Sequence, residues 1–275
     1  AAETHVDKSI DSSINFIKTN IIGTYNLLQC SLNFWKKLND DKKNRFLFQH
    51  VSTDEVYGSL DFGSSIFTEK TAYDPSSPYS ASKASSDHLV RAWNKTYNLP
   101  VIITNSSNNY GPYQFPEKLI PLTIIKILRN EQIPVYGDGS QIRDWLHVED
   151  HAEGILKVML KGKSGETYNI GGNNELSNLE VVKIICEILR ELNIKRKILK
   201  NNNPETQISF VKDRPAHDIR YAISTNKINN KLNWKAKIKF KDGLRETIAW
   251  YLDNKEWWEK ILNRDNNVIN RKGLN

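Results

Sequence analysis

The segment FLFQHVSTDEVYG, residues 46–58, joins an apolar run to a cluster of polar side chains. The run that ends at Val51 has the length and composition of a buried strand, and Thr53, Asp54 and Glu55 follow it. Open α/β sheets bind ligands at the carboxyl ends of their strands, so these three residues are candidate catalytic residues. An adjacent acid and base suit a reaction that needs both, provided that their surroundings separate the two pKa values. The alternative is a solvated turn whose carboxylates only add solubility.

Helical and extended patterns alternate on both sides of this segment. Apolar residues spaced by three, four and seven predict one long helix over about residues 7–38, and a second helix is predicted over 79–97. Residues 101–104 and 167–170 read as strands, whereas 119–129, 150–160, 180–192 and 241–252 read as helices. The alternation predicts an α/β fold with a mostly parallel sheet covered by helices.

The second predicted helix opens with Tyr79-Ser80-Ala81-Ser82-Lys83, which places Tyr79 and Lys83 on one helical face. A nearby ammonium group favours phenolate, so Lys83 is expected to lower the pKa of Tyr79 and make it a base for an alcohol being oxidised. The spacing alone is weak, because the chain has eleven tyrosines and a second copy at residues 251–255. We interpret that copy as surface structure.

Composition argues against several classes of partner. The chain has 275 residues, and its 39 Lys+Arg against 32 Asp+Glu give a net charge of +7. The lysines are scattered among asparagines and no nucleic-acid-binding motif accompanies them, so no nucleic-acid partner is expected. No apolar run could span a bilayer and no signal peptide is recognisable, so we expect no membrane partner and a soluble, cytoplasmic protein.

Cysteines and histidines give no sign of a metal site. Cys30 and Cys186 lie in apolar helical patterns and are predicted to be core residues. His147 and His151 have helical i, i+4 spacing, but no zinc-protease glutamate pattern accompanies them. No metal is therefore expected.

Several long motifs closely resemble the bacterial dTDP-glucose 4,6-dehydratases. Residues 52–58, 77–89 and 105–121 carry the resemblance, and residues 143–151, 168–172 and 213–218 extend it over essentially the whole chain. The resemblance implies an incomplete Rossmann-type doubly wound parallel sheet, bound NAD and a smaller C-terminal α+β substrate domain. Residues 1–109 would be the remainder of the NAD-binding domain, with about 141–165 returning to it, and residues 110–275 would mainly bind the nucleotide sugar.

The resemblance also implies roles for individual residues. Tyr79 would remove the proton of the sugar C4 hydroxyl, Thr53 would hydrogen-bond the same hydroxyl, and Lys83 would tune Tyr79 and hold the nicotinamide ribose. Glu55 would remove the C5 proton, and Asp54 would protonate the departing C6 hydroxyl. The implied cofactor-binding residues are Ala2, Glu3, Thr19, Tyr79, Lys83 and Asn109. The implied substrate-binding residues are Thr4, Asn108, Lys118, Leu119, Pro134, Tyr136, Arg143, Asn178, Arg214 and His217.

The chain departs from the family pattern at two places. Ala216 stands where the family usually has glycine, which could alter the backbone of its loop. The Gly-rich turn that holds a pyrophosphate is not found among the thirteen glycines. We therefore expect either a longer gene product, in which a strand–turn–helix unit with this turn precedes Ala1, or a second polypeptide that completes the sheet. We expect the 275-residue chain alone to bind NAD poorly.

Alternatives remain open at this point. The substrate could be a UDP- or GDP-sugar, and a 4-epimerase or decarboxylase of the same superfamily is a more distant possibility that the Asp54–Glu55 pair disfavours. A non-catalytic interaction protein that has lost its cofactor half is another. Arg143 and Arg214 could form surface ion pairs with Asp144 and Asp213. We expect two partners, the substrate dTDP-glucose and a second copy of this chain. The helices over 7–38 and 79–97 of the two copies would form a four-helix bundle in a homodimer.

Overall fold

The fold is described from a computed structural model that covers residues 2–264 and residue 268. The helices of this part of the chain are α1 (Val6–Asp11), α2 (Ser13–Phe16), α3 (Gly23–Lys36), α4 (Asp40–Arg45), α5 (Pro78–Tyr97), α6 (Leu119–Leu128), α7 (Val148–Lys161), α8 (Asn178–Arg196), α9 (Asn226–Leu232), α10 (Phe240–Asp253) and α11 (Lys255–Arg264). The strands are β1 (Phe48–Thr53), β2 (Val101–Ser106), β3 (Asn108–Tyr110), β4 (Ile133–Tyr136), β5 (Ile142–His147), β6 (Thr167–Ile170), β7 (Glu175–Ser177) and β8 (Ile208–Val211).

The N-terminal half is built on a parallel sheet with the strand order β1-β2-β6. Alternate residues of β2 face opposite sides, because successive side chains of a strand point to opposite faces. Ile103 packs with Leu28 and Val90 of α3 and α5, whereas Ile102 packs with Val158 of α7. Helices therefore cover both faces of the sheet, and the predicted α/β class is confirmed.

The C-terminal half has smaller sheets and its own core. Strand β5 pairs in parallel with β3 and antiparallel with β7, and β4 pairs in parallel with β8. Helices α6, α8 and α10 pack together around a separate apolar cluster. Residues 148–170, which form α7 and β6, return to the N-terminal sheet. The assignment of this half to substrate binding stays a prediction.

Two details differ from the sequence-based expectations. The helix predicted over residues 7–38 is interrupted at Ser12, where φ is −144°, and continues through a π-helical segment, Ile17–Ile22, before α3. Cys30 is exposed rather than part of the core, while Cys186 is buried. Among the described residues no helix is both long and apolar enough to cross a membrane.

Candidate active site

The polar segment after β1 turns sharply at the carboxyl end of the sheet. Residues Asp54–Tyr57 form a 3₁₀ turn, and the Thr53 hydroxyl accepts a hydrogen bond from the Glu55 N–H at 3.4 Å. The turn ends at Gly58, whose φ of +90° and contact with the Asp74 carbonyl leave no room for a Cβ. Asp54 is directed into the interior, with 1% of its surface exposed, whereas Glu55 lines a cavity.

The two carboxyl groups have different surroundings. Burial raises the pKa of Asp54 well above its usual value, and the charges of Glu55 and Asp144 raise it further. Burial also raises the pKa of Glu55, but the positive charges of Arg214 and Arg143 oppose that rise. Asp54 Oδ2 has no hydrogen-bond partner within the described part of the chain. The environment thus favours a neutral Asp54, which can donate a proton, beside a Glu55 that is easier to ionise.

Tyr79 and Lys83 lie on α5, directly behind this turn. The helix begins where its sequence requires: the Ser77 hydroxyl accepts from the Ser80 N–H, and Pro78 occupies the first helical position. The Thr53 side chain lies beside Tyr79, where it opposes the rise of the Tyr79 pKa. The Lys83 ammonium group donates to the Val51 carbonyl at 2.8 Å. The end of β1, the turn after it and the first turn of α5 therefore bring Thr53, the carboxyl pair and Tyr79 to one place.

The expected lowering of the pKa of Tyr79 is not found. Burial raises the pKa of Tyr79 above its usual value, the charges of Glu55 and Asp54 raise it further, and only Thr53 opposes them. Burial also lowers the pKa of Lys83. The i, i+4 spacing placed the two residues correctly, but desolvation outweighs the neighbouring ammonium group in this structure.

A cavity of about 210 Å³ opens beside Glu55, between the two halves of the fold. All ten residues proposed for the nucleotide sugar line it, and they come from the segment before α1, from β3, β4 and β5, from the N-terminal ends of α6 and α8, and from the loop after β8. Among the expected cofactor residues, Asn109 lines it as well. Its other lining residues were not expected from the sequence: His5, Val6, Asp7, Gln114, Glu117, Leu122, Val135, Trp145, Tyr221 and Val268.

Three cationic side chains face this cavity. The buried Arg143 guanidinium donates to the carbonyl groups of Ile142 and Asp218 and lies 4.3 Å from the centre of the Tyr221 ring. No carboxylate of the described residues lies within ion-pair distance of it. Lys118 donates to the Thr4 carbonyl at 2.7 Å. Such clustered, partly unneutralised donors suit an anionic ligand.

Arg214 is held by a residue far away in the sequence. Its guanidinium lies 3.1 Å from Asp7 Oδ1, and the Tyr136 hydroxyl donates to Asp7 Oδ2 at 2.7 Å. Although burial opposes the charge, Asp7 and Glu55 hold the pKa of Arg214 above its usual value. Arg214 Nε remains buried without a partner among the described residues. No sequence signal identified Asp7, because 207 residues separate the pair.

Neither arginine forms the surface ion pair with its neighbour that the sequence left open. The Asp144 carboxylate accepts backbone N–H bonds from Gly172 and Asn174, at 2.9 and 2.7 Å. Asp213 contacts the His217 ring at 2.6 Å. Burial, followed by the charges of Arg214 and Arg143, lowers the pKa of His217 to about 4. A neutral His217 therefore faces the cavity at neutral pH.

The remaining predicted cofactor residues lie outside the cavity wall. Ala2 and Glu3 are exposed, and Thr19 is half-buried in the π-helical segment. The Asn20 amide bonds the Glu3 backbone and the Ser82 hydroxyl, which fixes the N-terminal residues against α5. Asn109 Oδ1 is buried without a hydrogen-bond partner among the described residues. The assignment of Ala2, Glu3, Thr19, Tyr79, Lys83 and Asn109 to NAD binding stays a prediction.

Two other sequence interpretations are settled by the structure. Tyr251, in the second Y-x-x-x-K, is fully buried in the C-terminal core and donates to the Gln114 carbonyl, so the surface interpretation is wrong. Ala216 adopts a φ of +50°, a conformation that glycine adopts more easily. The loop nevertheless keeps Arg214 and His217 at the cavity. The described residues contain no group of three side chains that could hold a metal ion.

Comparisons with known proteins agree with this geometry. The family model described as GDP-mannose 4,6 dehydratase matches residues 1–247. The dTDP-glucose 4,6-dehydratase of Neisseria meningitidis serogroup B is 57% identical over 263 residues, which are 96% of this chain and 74% of the relative.

Solved structures of both dehydratases and epimerases resemble this chain. DesIV, the dTDP-glucose 4,6-dehydratase of Streptomyces venezuelae solved with NAD and TYD bound, superposes with a TM-score of 0.85 at 42% identity, covering 95% of this chain and 74% of that one. The UDP-glucose 4-epimerase of Thermotoga maritima, solved with UDP-glucose, has a TM-score of 0.78 at 25% identity and covers 93% and 76%. The fold is thus shared with epimerases, but the sequence is nearer to the dehydratases. The chain belongs to the dTDP-glucose 4,6-dehydratase family.

Proposed function

We propose that this protein is an NAD-using hydro-lyase that converts dTDP-glucose to dTDP-4-keto-6-deoxyglucose. The observation that carries the proposal is the pair Asp54 and Glu55, which share one turn but differ in their surroundings. Elimination of water needs one protein group that acts as an acid at C6 and another that acts as a base at C5, whereas epimerisation at C4 does not need this pair. Bound NAD would supply hydride acceptance at C4 and hydride return at C6.

The chain's own residues divide the proton transfers. Tyr79 is the base that takes the C4 hydroxyl proton, and Thr53, beside Tyr79, aligns that hydroxyl. A ketone at C4 acidifies the C5 proton, which Glu55 then removes. Asp54 gives its proton to the departing C6 hydroxyl, so that the C6–O bond breaks as water leaves and a C5–C6 double bond forms. When hydride returns to C6, the proton held by Glu55 would return to C5. The carboxyl group that burial keeps protonated is the acid, and the one facing two arginines is the base.

The cavity supports a nucleoside diphosphate as the bound part of the substrate. The Arg143 guanidinium has no carboxylate partner among residues 2–264 and 268, and Lys118 and Arg214 face the same space. A planar guanidinium binds two phosphate oxygens at once, which suits a diphosphate. These contacts leave the sugar near Glu55, which lines the same wall. We assign residues 110–275 mainly to nucleotide-sugar binding, and residues 1–109 with about 141–165 to NAD binding. We also place the protein in the cytoplasm.

The assay that tests this function uses the full-length gene product with NAD. We expect 4-keto-6-deoxy sugar to form from dTDP-glucose, with a kcat/KM at least about tenfold higher than for UDP-glucose or GDP-mannose, which corresponds to roughly 1.4 kcal/mol of discrimination. The keto product is measured by its ultraviolet absorbance in alkali. Preferential turnover of GDP-mannose or UDP-glucose would assign the other dehydratase specificity, and 4-epimerised product would contradict the elimination chemistry.

We propose further that two copies form a homodimer through α3 and α5. Tyr25 of α3 contacts Trp93 of α5, and Trp93 contacts Tyr97, with ring centres 5.8 and 5.6 Å apart. Tyr25 and Tyr97 each remain 42% exposed, although both are large aromatic residues. An exposed aromatic surface on two adjacent helices is typical of a helix-bundle interface.

We expect Tyr25→Arg to convert a dimer into a monomer, because two arginines would meet near the symmetry axis without partners. Sedimentation velocity over a range of concentrations measures the change. The matched control is Ile194→Arg, which replaces an apolar side chain that is 80% exposed on α8. Wild-type protein that sediments as a monomer at every concentration would contradict the dimer, as would a Tyr25→Arg variant that remains fully dimeric.

A further inference from the structure

A buried carboxylate behind the proposed site has no part in the reaction described above. Asp87 lies one turn after Lys83 on α5 and is fully buried. Its Oδ2 accepts a hydrogen bond from the Tyr73 hydroxyl at 2.8 Å, and its Oδ1 lies 3.2 Å from His50 Nε2 of β1. The Arg91 guanidinium donates to the Tyr73 hydroxyl at 2.7 Å and also covers the Tyr73 ring.

This group of polar side chains reaches the proposed catalytic residues by two routes. The Asn105 amide donates to the Thr53 carbonyl at 3.0 Å and lies 3.4 Å from Asp87 Oδ2. The second route is electrostatic. Burial lowers the pKa of Lys83, and the negative charge of Asp87, one helical turn away, opposes that lowering. Asp87 therefore lies behind both the residue that aligns the C4 hydroxyl and the ammonium group beside Tyr79.

The Asp87 carboxylate is held in its charged form. Burial alone would raise the pKa of Asp87, but the His50 ring 3.2 Å from its Oδ1, the Tyr73 hydroxyl and the charge of Lys83 together hold that pKa below the usual value. The ionisable groups that face it are His50 from β1, Tyr73 from the loop before α5, Tyr57 from the 3₁₀ turn, and Lys83, Tyr79 and Arg91 of α5. If Asp87 served only as a hydrogen-bond acceptor for Tyr73 and Asn105, its negative charge would not be needed, because the amide oxygen of an asparagine could accept the same bonds.

We propose that Asp87 is a positioning residue of the active site, whose buried carboxylate supports the Lys83 ammonium group from the next turn of α5 and, through Asn105, fixes Thr53. The inference rests on the proposed dehydratase function, because Lys83 and Thr53 take their roles from it. Asp87 itself touches neither the substrate cavity nor any reacting atom, so it acts only through these two residues.

The test is Asp87→Asn in the full-length protein, with Asp150→Asn as the matched control. Asparagine keeps the size and can accept the Tyr73 bond, but it removes the charge. Asp150 is also buried and accepts the backbone N–H groups of Lys237 and Ile238, both at 2.9 Å, away from the site. We expect kcat for dTDP-glucose to fall about ten- to a hundredfold in Asp87→Asn, as when outer-shell partners of metal ligands are removed, with KM changed less than about threefold.

The pH dependence separates positioning from folding. Without Asp87 the pKa of Lys83 should fall further, so the loss of kcat with rising pH should begin at lower pH than in wild type and in Asp150→Asn. Urea unfolding gives a readout independent of activity. A carboxylate with a lowered folded pKa stabilises the fold above its ordinary pKa and loses that contribution as the pH falls through the folded value, so the stability deficit of Asp87→Asn should shrink in acid.

Each outcome decides the inference. A wild-type kcat with an unshifted pH profile in a folded Asp87→Asn variant would show that Asp87 is only structural. Should that variant fail to fold, Tyr73→Phe removes one bond that orients the carboxylate and leaves its charge in place, so kcat should fall by a smaller factor with an unshifted pH profile. An unchanged kcat in that variant overturns the proposal. Wild-type protein that forms no keto sugar would instead reject the proposed function itself.

Discussion

Replacing Glu55 by glutamine is expected to lower formation of the keto sugar by about 10²- to 10⁴-fold, the range that general base catalysis contributes. The amide has nearly the same shape but cannot accept the C5 proton. Oxidation at C4 does not need Glu55, so a single turnover with dTDP-glucose should leave reduced nicotinamide on the protein. Stopped-flow absorbance of reduced nicotinamide, together with exchange of solvent deuterium into C5, measures both halves of the expectation.

The matched control for this variant is Glu117→Gln, which changes a second carboxylate on the same cavity wall. Glu117 pairs with Lys8 at 2.8 Å and has no proposed part in proton transfer. We expect that variant to keep kcat within a few-fold of wild type. Rapid C5 exchange in Glu55→Gln, at the wild-type rate, would show that another group removes this proton.

Tyr79→Phe should stop the reaction one step earlier. The phenol oxygen that accepts the proton of the C4 hydroxyl is removed, so neither keto sugar nor reduced nicotinamide should form, and kcat should fall by about 10²- to 10⁴-fold. Because Tyr79 does not line the nucleotide-sugar cavity, the affinity for dTDP measured by calorimetry should stay close to that of wild type. The two variants therefore differ in a single observable, the reduced cofactor.

The second copy of the motif supplies the control. Tyr251→Phe removes the bond to the Gln114 carbonyl in the C-terminal core, so it should lower the free energy of unfolding by about 1 kcal/mol without changing kcat. A fully active Tyr79→Phe variant would contradict the proposed base. Accumulated reduced nicotinamide in that variant would show that C4 is oxidised without the Tyr79 hydroxyl.

Much of this architecture could be predicted from the sequence, because it depends on local patterns. Strand β1 was expected from an apolar run, and α5 from the Ser/Pro segment and the periodicity that follow it. Backbone periodicity alone places Tyr79 and Lys83 on one helix face, and a polar segment after a buried strand lies at the ligand-binding edge of a parallel sheet. The order of several long motifs then predicted the family, which the comparisons confirm.

Tertiary structure decided the properties that depend on distance and solvent. Asp54 and Glu55 are adjacent in sequence, and burial raises the pKa of both. Only packing encloses Asp54 in the interior and turns Glu55 towards Arg214 and Arg143. The same physics reverses the expected shift of the Tyr79 pKa, because desolvation is set by everything that surrounds a side chain and not by its helical neighbour. Asp7 meets Arg214 across the length of the chain for the same reason. Local patterns specify where a residue sits on its own helix or strand, whereas burial and through-space charge exist only once the elements have packed together.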